Sequence, residues 1–135
     1  MSPLGLGKIA AIERSIARAR EEFAAAGADF VHDFTRQDAA ILNILRACEL
    51  AIDLANILIR ERSLGVPQSS RDSFKLLADA ALIPVQLSER LQRMIGFRNI
   101  AVHQYQLLDL AIVEAILRRD LDELRSFCQT VATLD

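Results

Sequence analysis

The sequence predicts an all-α fold, an up-and-down four-helix-type bundle with one additional short helix. Three observations carry this. Apolar residues recur at spacings of three and four along most of the chain, which marks one face of an α-helix. Glycine (5) and proline (3) are scarce, whereas a sandwich or barrel needs turn signals roughly every ten residues. Apolar residues make up 52% and charged residues 25%, so a core is available and a long disordered tail is not expected. The length of 135 residues fits one domain, taken as residues 1–135, that folds without disulfide or metal staples.

The first helix is expected from about Lys8 to Ala26, where Ile9, Ile12, Ile16, Ala19 and Phe23 share a face and Gly27 supplies the stop. Ala28–Arg36 reads as a connector, with Thr35 or Asp38 as the next cap. The second helix, about Gln37–Arg62, is the longest. Ile41, Cys48 and Ala55 lie seven apart, as do Ile44, Ala51 and Leu58, and Leu45, Ile52 and Ile59. Opposite that broad apolar face runs a polar stripe, Arg46, Glu49, Asp53, Asn56 and Arg60. Such a stripe either is solvated or lines a cleft.

Ser63–Ser70 is the main loop, broken by Gly65 and Pro67. A short helix follows at about Arg71–Ala81, with Phe74, Leu77, Ala78 and Ala81 inward. Pro84 ends it or starts the next element. The fourth main segment runs from about Leu87 to Val102, with Ser88 as its cap. The last helix runs from about Asp109 to Thr133, with Leu110, Val113, Leu117, Leu121, Leu124 and Cys128 in step.

Charge narrows the function classes. Sixteen basic against 18 acidic residues give a net charge of −2, which excludes a protein that coats nucleic acid with its whole surface. It leaves room for a local basic cleft, for which Arg90, Arg93 and Arg98 on one helix are available. With two histidines, His32 and His103, a three-histidine metal site within one chain is impossible. His32 reads as a surface or structural residue. Cys48 and Cys128 sit inside apolar helical patterns without metal-ligand spacing and read as buried free thiols. No signal-peptide layout or membrane-length apolar run is seen, so a soluble cytoplasmic protein is expected.

Glycine-rich phosphate loops, GxSxG elbows, HExxH and nucleotide-binding fingerprints are all missing, so neither cofactor nor metal is expected. The adjacent acids Glu21–Glu22 and Asp122–Glu123 point to different sides of a helix and read as surface charge. One segment stands out, Gly96-Phe97-Arg98-Asn99-Ile100-Ala101-Val102-His103-Gln104-Tyr105. Asn99 and His103 share a helical face. Arg98 and His103 are about 7.5 Å apart along the axis and point in different directions. They suit the two sides of a phosphodiester: arginine donates a planar fork, and histidine transfers protons near neutral pH.

The string Arg98-Asn99-x-x-x-His103-x-Tyr105 resembles the RNxxxHxY signature of the HEPN superfamily, and of HepT-like toxins in particular. The resemblance extends from about Lys8 to Phe127. It includes the Ala47–Asp53 run (ACELAID), the Gly65-Val66-Pro67 loop and a last helix opening on Leu108-Asp109. The family implies a helical ribonuclease, the toxin of a two-gene toxin–antitoxin pair, that cuts RNA without a metal using the Arg and His. It also implies a minimal nucleotidyltransferase partner, MntA-like, that silences the toxin by attaching AMP to the Tyr. Those residues here are Arg98, His103 and Tyr105.

A ribonuclease using RNA's own 2′-OH needs a base, an acid and a cation. One chain offers one suitable histidine for two proton transfers, so a homodimer that pairs two signature helices is expected. His103 serves as base from one protomer and as acid from the other, and Arg98 clamps the phosphate. Asn99 orients the site through a side-chain hydrogen bond. Tyr105 contacts RNA and takes the AMP. Asp53, with Glu49, is a candidate for tuning the basic residues from the polar stripe. The alternatives are a non-catalytic helical subunit that binds substrate for a nucleotidyltransferase, and an inert helical dimer.

Overall fold

A computed structural model describes residues 1–134, in which six α-helices and two 3₁₀ turns follow one another without a strand. Helix α1 spans Pro3–Ala26 and begins five residues earlier than its apolar periodicity suggests. The reason is local. Ser2 accepts a hydrogen bond from the Gly5 amide, and Pro3 occupies the first turn, where its missing N–H costs nothing. Gly27 ends the helix at φ 58°, a backbone state that glycine adopts without a Cβ clash.

Helix α2 spans Phe34–Glu61 and is capped by Asp33, whose carboxylate accepts from the Arg36 amide. Thr35 and Asp38, the expected caps, therefore lie inside the helix. Helix α3 spans Ser70–Asp79 and is capped by Ser69. Helix α4, Val85–His103, starts directly after Pro84. Ser88 is buried within it rather than capping it. Its hydroxyl donates to the Phe74 carbonyl at 2.9 Å and so ties α4 to α3.

The last segment departs from regular winding. Helix α5, Leu110–Ala115, is capped by Asp109 and passes through a π turn at Ile116–Asp120 into α6, Leu121–Ala132. Buried Val113, Leu117 and Leu121 are spaced by two successive fours, which a regular α-helix would carry around its axis. The wider turn absorbs the drift and keeps Leu124, Phe127, Cys128 and Val131 in the core. Within it the Leu117 carbonyl accepts from Arg20 Nε at 3.0 Å.

Polar pairs show how the helices run. Lys8–Asp53 and Glu22–Arg36 make α1 and α2 antiparallel. Met1–Leu134 and Arg20–Asp122 do the same for α1 and α6, and Glu49–Arg98 with Asp38–Tyr105 for α2 and the α4 end. The core lies around α2, where Ile44, Ala47, Ala51, Leu54 and Ala55 are almost entirely shielded. Phe74 and Phe127 meet edge to face at 5.5 Å, joining α3 to α6. Cys48 and Cys128 are buried free thiols, both pushed up to about 12, mainly by burial. No helix among the described residues is long and apolar enough to cross a membrane.

Candidate active site on the fourth helix

Helix α4 divides along its length. Leu87, Leu91, Met94, Ile95 and Phe97 bury its first part. Beyond Arg98 the helix surfaces, with Asn99, Ile100, Val102 and His103 exposed, and it ends at His103, where the partial negative charge of the C-terminus favours a cation. Gln104 closes the helix, and Tyr105–Leu107 form a 3₁₀ turn.

Arg98 is held inside the bundle. Its side chain is 16% exposed, and its Nε lies 3.2 Å from Glu49 Oε1. That approach is too poorly angled for a hydrogen bond, so the contact is coulombic and Nε stays unpaired. Arg98 Nη2 donates to Ser70 Oγ at 2.9 Å. Helices α2 and α3 thus fix the guanidinium from two sides. The cap at Ser69 and the start of α3 place the Ser70 hydroxyl.

His103 has the opposite setting. It is exposed, and no hydrogen bond engages its ring among the described residues. Five residues along α4 carry it roughly 140° around the axis from Arg98. Asn99 is also exposed, and the orienting side-chain hydrogen bond expected of it is not made among the described residues. Tyr105 is not a loose surface ring. Its hydroxyl donates a hydrogen bond to the Asp38 carboxylate of α2. Partial burial, then this bond and the Asp38 charge, raise the phenol to about 12.

The polar stripe of α2 splits between neighbours. Glu49 faces Arg98, whereas Asp53 pairs with Lys8 of α1 at 3.4 Å. Asp53 is therefore committed to the α1 side, and of the two acids it is Glu49 that faces Arg98. Asn56 accepts from the Ser73 hydroxyl at 2.7 Å and helps hold α3. Ser70 and Asp38 were the contacts hidden from sequence reasoning. Both depend on which helices lie side by side.

The three arginines of α4 do not share one cleft. Arg90 and Arg93 line a cavity of about 460 Å³ with Arg119, over a floor of Met94, Phe97, Ile112 and Ile116. Arg98 faces away from it, toward α2 and α3. Arg90 is paired with Glu123 at 3.6 Å. Alongside lies a smaller apolar depression of about 230 Å³, lined by Phe97, Ile100, Leu107, Leu108 and Ile112 among others. Ile100, Leu107 and Ile112 are 44%, 64% and 52% exposed, an apolar surface that begins at Ile100, one turn before His103 on α4. His32 is exposed on the connector between α1 and α2. Among the described residues, no three His, Cys, Asp or Glu side chains gather as a metal site.

Comparison with known proteins gives consistent matches over nearly the whole length. The family described as "Ribonuclease HepT-like" matches residues 12–131. An mRNA nuclease HepT of Shewanella oneidensis is 46% identical over 131 residues, covering 97% of this chain and 98% of the relative. The fold superposes on a tri-AMPylated Shewanella oneidensis HEPN toxin in complex with MNT antitoxin, with a TM-score of 0.93, 45% identity and 98% of each chain covered. It also superposes on a toxin–antitoxin structure with AMP-PNP, with a TM-score of 0.92 and 44% identity over 97% of this chain and 98% of that one.

Proposed function

The chain belongs to the HepT-like ribonuclease family, and on that premise we propose that it is the RNA-cleaving toxin of a toxin–antitoxin pair. In this reading residues 1–135 form one HepT-like domain, and the active site is completed by a second copy. The observation that carries the reading is the pairing of a braced Arg98 with an exposed His103 on one helix end.

The chemistry follows from the substrate. RNA supplies its own nucleophile, the 2′-OH next to the scissile phosphate. A base removes its proton, an acid protonates the departing 5′-oxygen, and a cation stabilises the charge that builds on the phosphoryl oxygens. Arg98 is suited to the last task, because its orientation is set before substrate arrives. His103 is suited to the proton transfers, one protomer's ring as base and its partner's as acid. No metal is needed for these steps. Arg98 and His103 diverge around α4 within one chain, so a second α4 brings the missing group across. The exposed Ile100, Leu107 and Ile112 supply apolar area for such a contact.

The partner in this reading is an MntA-like nucleotidyltransferase that transfers AMP to Tyr105. The related Shewanella structure holds an AMPylated toxin with its MNT antitoxin, which supports it. The added phosphate and base place negative charge and bulk at the end of α4 and compete with RNA there.

The test is cleavage of RNA by the purified chain in the presence of a chelator. Arg98→Ala and His103→Ala should each lower cleavage by about 10²-fold or more and abolish growth arrest while the dimer persists. Full toxicity of His103→Ala would overturn the assignment.

A further inference from the structure

Tyr105 and Asp38 are 67 positions apart, yet the phenol donates straight to the carboxylate. Asp38 caps nothing, since Asp33 holds that post, and no ion pair engages it among the described residues. Its hydrogen-bond partner is Tyr105. It is also the charged group that acts on the phenol. Tyr105 remains 43% exposed, so the bond does not bury the ring. A phenol whose hydrogen points at a carboxylate presents its oxygen lone pairs outward.

We infer that Asp38 is the proton acceptor and orienting group for nucleotidyl transfer to Tyr105. This rests on the reading of Tyr105 as the AMP acceptor. In the step, Tyr105 Oη forms a bond to the α-phosphorus of ATP held by the transferase. The bond from that phosphorus to the oxygen bridging to the β-phosphate breaks, and pyrophosphate leaves. The phenolic proton passes to Asp38 along the existing hydrogen bond and then to solvent. The product cannot restore the starting contact. Its Oη has no hydrogen to donate, and its phosphodiester is repelled by the Asp38 carboxylate. Transfer therefore releases the side chain from α2, and the departure of pyrophosphate outweighs the contact that is lost.

The experiment follows AMP incorporation into the full chain by intact mass, with Mg-ATP and saturating cognate transferase so that binding does not limit the rate. Asp38→Asn should slow transfer about 10²-fold, the low end for loss of a general base. Its residual rate should keep rising with pH as the phenol ionises, where the wild-type rate levels off. Asp38→Glu should recover most of the rate. If the wild-type chain takes no AMP on Tyr105, the neutralisation reading fails and this inference with it. If wild type is modified and Asp38→Asn matches it in rate and pH profile, the role of Asp38 alone is refuted. Faster transfer in Asp38→Asn refutes it too, since the carboxylate would then be a restraint on Tyr105.

Discussion

On its inner side α4 carries Arg98, braced by Ser70 and facing Glu49. On its outer side the same helix carries His103, whose exposed ring makes no hydrogen bond among the described residues. In the proposed mechanism this contrast matches two different demands, those on the cation and those on the proton carrier. A phosphate-binding cation works best when its orientation is settled before charge develops, since reorganisation at that moment is costly. A proton carrier has to change partner during the reaction, and a histidine locked to its own chain would be held in one protonation role. In the proposed mechanism the inner half of the site is finished by folding, and the outer half waits for another molecule.

Substitutions should separate the two halves. His103→Ala is expected to lower RNA cleavage by about 10²- to 10⁴-fold while leaving stability within about 0.5 kcal/mol, because nothing in the chain leans on the ring. Cleavage assays beside thermal melts would show this, and a large fall in Tm would mean the ring is structurally engaged. Arg98→Ala should cost cleavage about 10²- to 10³-fold and also destabilise the fold by about 1 kcal/mol, since Ser70 loses its partner and Glu49 its counter-charge. Arg98→Lys should restore part of the stability and little of the activity, because an ammonium lacks the planar fork.

Smaller effects refine the comparison. Glu49→Gln removes the carboxylate facing Arg98 and should strengthen RNA binding by up to about fivefold, the scale of a partly exposed ion pair. Added salt should shrink the gain. Tyr105 gives a pH signature. Its phenol is raised to about 12, so the Asp38 contact is fully present below the ordinary tyrosine range and is lost as pH rises through about 12. The chain has one tyrosine and no tryptophan, so phenolate absorbance follows this residue alone. Asp38→Asn should lower the midpoint, though partial burial keeps it above the ordinary value. The smallest effect is expected at Gly96. A Cβ there meets only the tip of the flexible Arg71 side chain, at 2.7 Å. Displacing that tip offsets the gain in helix propensity, and Gly96→Ala should leave Tm nearly unchanged.

Much of this architecture is legible in the sequence, for definable reasons. Helix periodicity located every helix, because burial of one face is a local pattern that the sequence carries directly. Caps were less readable. Ser2, Asp33 and Ser69 compete with Thr35, Asp38 and Ser88, which have the same chemistry, and only the path of the backbone chooses between them. The signature Arg98–Tyr105 is contiguous, and so was visible. Its supports, Glu49, Ser70 and Asp38, come from other helices. They become neighbours only once α2, α3 and α4 are packed. Glu49 and Asp53 look alike on one stripe, yet Lys8 claims Asp53 and Arg98 faces Glu49. The proposed clustering of Arg90, Arg93 and Arg98 ignored the angular spread of a helix, which sends Arg98 away from the other two.

The π turn at Ile116–Asp120 bears on how a helix carries one residue more than its buried seam requires. A π turn houses a residue that the regular path of the helix does not need, so the segment has the form of an accommodated insertion. What the turn displays is on the outside: Arg118 stacks over the Phe23 ring at 4.9 Å, and Arg119 lines the cavity beside α4. A chain shortened by Arg118 should close into an ordinary helix and keep the buried seam from Val113 to Val131. On that view the extra residue serves the surface of the bundle rather than its core.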